Sequence, residues 1–515
     1  MGENSKCIVI GLDGATFELI NPLIKQGKLP TIQKMVEEGT HGVLKSTIPP
    51  LTGPAWVSFA TGNNPGKHGC YDFELPKNDI DQIEMISTKD INGDTFYEVL
   101  DREKKKCILI NLPCTYPPKI SGVVITGFLT RGRDFIFPRS LIQDIPEFKK
   151  YRIVPNFYDS IKKYVSDVRK LERVRFECAK KLFKKDWDFF FILFQGTDWV
   201  QHKVYDMLIS GEDSETVEFY QELDEYIRWF VENAKGANIL IMSDHGFRSY
   251  KKLFAINTWL MNEGYLKLKS RESKGATVRE KSAVKVPFIL TKYKRILNIA
   301  SFFYRTFRKV LPSIRLVIRT APDVTSTAYS ILSSANGNCC GIYINSKKRF
   351  RNGSVEIEDY EQVRSEIMGK LDGLYDKGKT KIFQSVLRRE EIYSGECLDS
   401  APDILLFSDE YDICPFFKVE VAEVEAKNEH SPYGIFIAYG KDIKKGVTIK
   451  NAEIIDLAPT ILHVMNAPVP KGIDGRVLRE IYQEGSEIAK RPIEYLEVSE
   501  EEKLRAKIRR IRKVK

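Results

Sequence analysis

A chain of 515 residues, 43% hydrophobic and 29% charged, has the composition of a soluble globular enzyme and is too long for a single core, so a large domain with insertions or two to three lobes is expected. The net charge of +10, from 80 basic against 70 acidic residues, is a moderate excess that matters only where it clusters. Nine cysteines, odd in number and without CxxC spacing, exclude a disulfide framework or a cysteine metal site and suggest a reducing, cytosol-like compartment. The N-terminal "MGENSKCIVIGLDG" lacks the apolar region and cleavage site of a signal peptide, and runs such as "DFFFILF" are too short to span a bilayer.

In chain order, "CIVIGLDG", "FFFILFQGTD", "NILIMSDHG", "GIYIN", "APDILLF" and "YGIFIAYG" are short apolar runs, several closing on a small or acidic residue. Between them lie amphipathic, helix-length segments at Thr31–Glu38 behind Pro30, at Val168–Lys184 and at Ser214–Ala234. Continuous apolar strands alternating with helices predict a mostly parallel sheet covered on both faces, a three-layer α/β/α sandwich. Ligands of such sheets bind at the carboxyl ends of the strands, which is where Asp13, Asp198 and Asp244 fall.

Residues 263–327 break the pattern: they are densely basic, opposed mainly by Glu272 and Glu280, with aromatics interleaved in the second half. They read as a cap inserted into a discontinuous core of residues 1–262 and 328–485, suited to a phosphate-rich substrate or an anionic membrane surface. Nucleic acid is not expected, since no recognition fold surrounds them. Glu358–Leu371 reads as a helix that Gly373 ends, and residues 486–515 as a basic helix or tail.

The chemistry lies in scattered polar residues. "GTDWVQH" places Asp198 and His202 one helical turn apart, so both side chains can face one divalent ion. An aspartate capping a helix beside a surface histidine is the commoner arrangement, so the pair gains weight only in company. "SDHGF" adds Asp244 and His245 at another strand end, "GLDGA" adds Asp13, and His430 in "NEHSPYGIF" is the best placed of the remaining histidines. The set divides into Asp198, His202 and His430 for one ion and Asp13, Asp244 and His245 for a second. "PPLTGPAW" then acquires meaning, because a threonine hydroxyl near two ions roughly 4 Å apart has a lowered pKa and becomes a nucleophile for in-line phosphoryl displacement.

The ordered motifs "GLDG", "TGPAWVSFATG", "PGKHG", "GTDWVQH", "SDHGF", a late histidine and "KGIDGRVL" resemble the alkaline phosphatase superfamily, specifically its type I phosphodiesterase/nucleotide pyrophosphatase branch. The resemblance spans Ile8 to Leu478 and implies Thr52 as nucleophile and the same two-ion grouping, with Thr52 also touching metal. Zinc is the usual ion, although aspartate and histidine ligands suit manganese and iron too. Two departures bear on substrate. Trp56 stands where a sulfatase has arginine, and Phe73 where nucleotide-cleaving members hold phosphate with asparagine. Gly53, Trp56 and Phe73 are therefore expected against the substrate, with the Gly53 N–H stabilising charge.

The expectation is hydrolysis of a phosphoester, a diester by preference and a bulky or lipid-linked one, through a phosphothreonine. The alternatives are a phosphomutase, a monoester or phosphonate hydrolase and, from another class, a non-catalytic protein at an anionic membrane.

Overall fold

Successive residues of a strand point to opposite faces of its sheet, so a strand that is apolar at every position must be covered on both. All six residues of Cys7–Leu12 are buried; Ile8, Ile10 and Leu12 enter one core while Cys7 and Val9 enter the other. Phe189–Phe194 divides the same way, with Phe190, Ile192 and Phe194 on one face and Phe189, Phe191 and Leu193 on the other. The computed structural model describes residues 6–496, apart from 133, 212–213, 235, 269–321, 332–336, 416 and 418–419. Helices Phe17–Lys25, Pro30–Glu38, Ile161–Phe183, Gly196–Ser210 and Ser214–Asn233 pack on the first face. Thr52–Thr61, Phe96–Arg102 and Leu457–Val464 pack on the second, which gives the three-layer α/β/α sandwich.

Across the central sheet the strands run Val447–Thr448, Thr40–Lys45, Tyr433–Tyr439, Asn238–Met242, Cys7–Leu12, Phe189–Phe194, Cys107–Ile110, Val123–Ile125 and Ile136–Phe137. Asn238–Met242, Cys7–Leu12 and Phe189–Phe194 are adjacent and parallel, with Cys7 opposite both Phe189 and Asn238. Their carboxyl ends therefore open side by side. Tyr433–Tyr439 is antiparallel to both of its neighbours.

A second apolar unit is built by Ala328–Tyr329, Cys339–Ile344, Ile404–Phe407 and Ser385–Arg388 in one sheet, packed by the helix Tyr360–Asp372 through Ile367 and Leu371. A three-stranded sheet, Tyr411–Cys414 with Gly246–Ala255 and Val421–Ser431, joins it to the core and sets His430 opposite Phe247. Most of the basic segment expected as a cap, residues 269–321, and the basic residues 497–515 lie outside the described residues. Among the described residues no helix is long and apolar enough to cross a membrane.

Two differences from the sequence expectation bear on the site. The helix expected from Val168 begins at Ile161, because Ser160 caps it by accepting from the Lys163 N–H and a polar first turn hides the apolar period. "PPLTGPAW" is a turn only as far as Leu51; a fully buried helix starts at Thr52, and Pro54 fits its first turn, where no intrahelical N–H bond is needed.

"PGKHG" and "KGIDGRVL" are one structural unit. The Asp474 carboxylate accepts from the Asn64 backbone N–H at 2.9 Å and from its side chain at 2.8 Å, and pairs with Lys67. His68 is buried behind them. Its Nδ1 accepts from the Cys70 N–H at 3.1 Å, so Nε2 carries the proton, which it donates to Ser58 Oγ at 2.9 Å. Burial lowers its pKa from 6.5 to about 3. Below pH 6.5 the unfolded chain takes up a proton there that the folded chain refuses, so stability is lost as pH falls toward 3, at about 1.4 kcal/mol per pH unit. Urea midpoints measured from pH 7 to 4 should fall less steeply in His68→Gln, by one proton's worth of slope.

Candidate active site

Each strand end delivers one carboxylate. Asp13 follows Cys7–Leu12, Asp198 lies in the first turn of the helix after Phe189–Phe194, and Asp244 follows Asn238–Met242. The turn at Asp13 is closed by Gly14, at φ +65°, whose N–H donates to Asp244 Oδ1 at 3.1 Å; a Cβ there would meet the Phe247 ring at 2.8 Å. Thr197 Oγ1 donates to the Asp13 carbonyl at 2.5 Å and Gln201 Nε2 to the Gly14 carbonyl at 2.9 Å, tying two strand ends together. Glu172, wholly buried with Arg175, accepts from the Gly196 N–H at 2.6 Å and so fixes the start of the helix that carries Asp198 and His202.

Three imidazoles complete the cluster, and each has Nδ1 committed to a backbone carbonyl. His202 donates to Asn428 at 3.0 Å, His245 to Gly246 at 3.0 Å and His430 to Pro50 at 3.1 Å. Every Nε2 therefore offers a lone pair to the site. His202 Nε2 faces His430 Nε2 at 3.1 Å, and both stand close to Asp198 Oδ1, at 3.3 and 3.2 Å. His245 Nε2 lies 3.3 Å from Asp244 Oδ2, 3.5 Å from Asp13 Oδ1 and 3.4 Å from Thr52 Oγ1.

This arrangement is poorly balanced as protein alone. Asp13 Oδ1, Asp198 Oδ1 and Asp244 Oδ2 are buried without a hydrogen-bond partner among the described residues. Burial, together with the Asp244 and Asp198 charges, holds the Asp13 carboxyl well above its usual range, and burial raises Asp244 despite His245. Burial would also raise Asp198, but His202 and His430 pull it well below. Burial likewise lowers His202, yet Asp198 carries it up to about 9, while burial and His245 take His430 down to about 4. Divalent ions answer all of these at once, by accepting the lone pairs and satisfying the orphaned oxygens. Ligand atoms of Asp13, Asp244 and His245 all lie within 4.8 Å of one another, as do those of Asp198, His245 and His430. His245 thus falls in both groups, and His202 joins the second through its contacts with Asp198 and His430.

Thr52 is 3% exposed and borders a cleft of about 620 Å³ that Asp198, His202 and His430 also line. At the first turn of its helix the backbone N–H groups have no intrahelical partner and can face an anion. Phe73, expected against substrate, lines the cleft and packs edge-to-face on Phe128 at 5.3 Å. Gly53 lies beneath it; a Cβ there would meet Phe73 Cδ1 at 2.9 Å, so glycine is required for that packing. Trp56 is corrected: it is wholly buried against Phe59 and Phe191, does not line the cleft, and its Nε1–H donates to Asp13 Oδ2 at 3.4 Å. The sequence reading missed Phe128, Tyr164, Gln195, Trp199, Lys203 and Lys427 in the lining. Trp199 and Lys203 adjoin Asp198 and His202, and Gln195 and Lys427 stand three residues before Asp198 and His430, so these four were open to notice; Phe128 and Tyr164 arrive by tertiary packing alone.

The sandwich, with carboxylates at three adjacent strand ends and a threonine opposite, defines an alkaline phosphatase-like fold. The family model for type I phosphodiesterase/nucleotide pyrophosphatase matches residues 7–413, and the chain belongs to that family. Members use two metal ions, and the ligand clusters here fit that use. His430 lies beyond the matched span. Phosphonoacetate hydrolase from Sinorhizobium meliloti 1021, bound to phosphonoformate, is similar with a TM-score of 0.55 at 16% identity, over 90% of this chain and 96% of that one. Murine ectonucleotide pyrophosphatase/phosphodiesterase 5 is similar with a TM-score of 0.50 at 13% identity, over 93% of this chain and 100% of that one. At such identities the likeness shows the fold alone. No curated protein matches the chain in sequence.

Proposed function

We propose that the protein hydrolyses phosphodiesters through a phosphothreonine formed on Thr52. The observation that carries this reading is the set of three Nε2 lone pairs and three orphaned carboxylate oxygens gathered beside one buried hydroxyl. Two divalent ions, zinc in our reading, would be held by Asp13, Asp244 and His245 with Thr52 and by Asp198, His202 and His430, and would lower the hydroxyl pKa and offset phosphoryl charge.

The chain's own residues supply the remaining elements. Thr52 Oγ1 attacks phosphorus, forming the threonine–phosphate bond as the ester alcohol departs on the opposite side, and water then cleaves that bond in a second displacement. The free N–H groups at the start of the Thr52 helix orient the phosphoryl oxygens. The preference for a diester rests on Phe73 and Phe128, whose rings line the cleft with Thr52 and bring no donor for an extra charged oxygen.

Metal-loaded enzyme assayed with bis-p-nitrophenyl phosphate and p-nitrophenyl phosphate tests the preference. The diester should be favoured in kcat/KM, and Phe73→Asn should move the ratio roughly tenfold toward the monoester, as one added hydrogen bond to a charged group permits. A monoester preference in the wild type, or a ratio that ignores Phe73, would sink the diester reading.

A further inference from the structure

In an in-line displacement the departing group leaves opposite the nucleophile, so with Thr52 attacking, the leaving alcohol comes to lie toward Asp198, His202 and His430. The side chains bordering the cleft there include Tyr164, Trp199, Lys203 and Lys427. Their charges are not equally available. Lys427 is paired with Asp412 and stands 2.8 Å from Glu429, and Asp206 accepts from Asn428 at 2.8 Å. Lys203 is exposed, forms no ion pair among the described residues, and is steadied by the Tyr164 ring, with Nζ 5.8 Å from its centroid. Among the described residues the Tyr164 hydroxyl has no hydrogen-bond partner. A phenol is a neutral hydrogen-bond donor near pH 7.

We propose that Lys203, backed by Tyr164, forms a leaving-group subsite that selects phosphoesters whose departing alcohol carries a further negative charge such as a carboxylate. The proposal rests on the hydrolase reading above and extends it to the side of the substrate away from Thr52. Lys203 supplies the charge and Tyr164 a donor, while Trp199 provides an apolar face for the body of the alcohol. An exposed charge contact of this kind is worth a modest factor and is screened by salt.

The test uses two isosteric diesters, ethyl 4-carboxyphenyl phosphate and ethyl 4-carbamoylphenyl phosphate, with phenol release measured on the metal-loaded full chain. Wild type should prefer the carboxylate about fivefold in kcat/KM, and the preference should shrink toward one in 0.5 M salt, a concentration chosen to bring the Debye length to roughly 4 Å. Lys203→Met should abolish the preference and Lys203→Arg restore it, whereas a merely structural lysine would lower both substrates together. A wild-type ratio near one, or a ratio that survives in Lys203→Met, overturns the subsite while leaving the hydrolase reading standing. Failure to cleave either compound overturns the hydrolase reading, and the subsite with it.

Discussion

Thr52→Ala should lower kcat/KM for bis-p-nitrophenyl phosphate by on the order of 10⁴-fold, the scale seen when a covalent nucleophile is removed and only binding and charge stabilisation remain. The fold should tolerate the change. Thr52 opens its helix, where alanine is a good helix former, and the lost contact is a 3.4 Å approach to His245 Nε2, so a cost of about 1 kcal/mol is expected. Thr52→Ser, which keeps the hydroxyl, should recover much of the rate. Equal activity in wild type and Thr52→Ala, each with its metal content verified, would remove Thr52 from the chemistry.

Chelation should have a comparable effect, and the carboxylate cluster makes it more specific than loss of activity alone. With no ion present, Asp13, Asp198 and Asp244 bring three buried carboxylates together, and Asp13 is held well above its usual pKa by burial and by the other two charges. Asp13→Asn should therefore cost the loaded enzyme at least about 100-fold in kcat/KM and lower its affinity for metal. In the chelated protein the same substitution removes a carboxyl whose ionisation burial and the two neighbouring carboxylates oppose, and thermal unfolding should occur at the wild-type temperature or above it. The ion held by Asp13, at a thousandfold excess over its Kd, stabilises the wild type by about 4 kcal/mol, a gain that Asp13→Asn should largely lose. If Asp13→Asn destabilises both forms equally, Asp13 is a packing residue and not a ligand.

The parallel core and most of the candidate ligands were legible because the strands are short apolar runs that stop abruptly at an acid. Asp13, Asp198 and Asp244 could be placed at carboxyl ends before any contact was known, and His202 followed from helical spacing. Trp56 was expected against substrate because the resemblance sets it where a sulfatase has arginine, whereas its position in the helix turns it inward to Phe191 and Asp13. The helix at Ile161 started earlier than its apolar period showed, and with it came Tyr164, which reaches the cleft only because that helix packs beside the one carrying Asp198. Lys67 and Asp474 belong to two quoted motifs, yet their ion pair spans 407 positions and no local pattern reports it. The membrane-surface reading placed its weight on the basic segment, of which residues 269–321 lie outside the described residues.

A threonine nucleophile requires two successive in-line displacements at phosphorus, each inverting the centre. The stereochemical course with a phosphodiester made chiral by sulfur and oxygen isotopes therefore tests the mechanism without requiring the intermediate to accumulate. Net retention is the expected result; net inversion, the mark of direct attack by water, would contradict a phosphothreonine on Thr52.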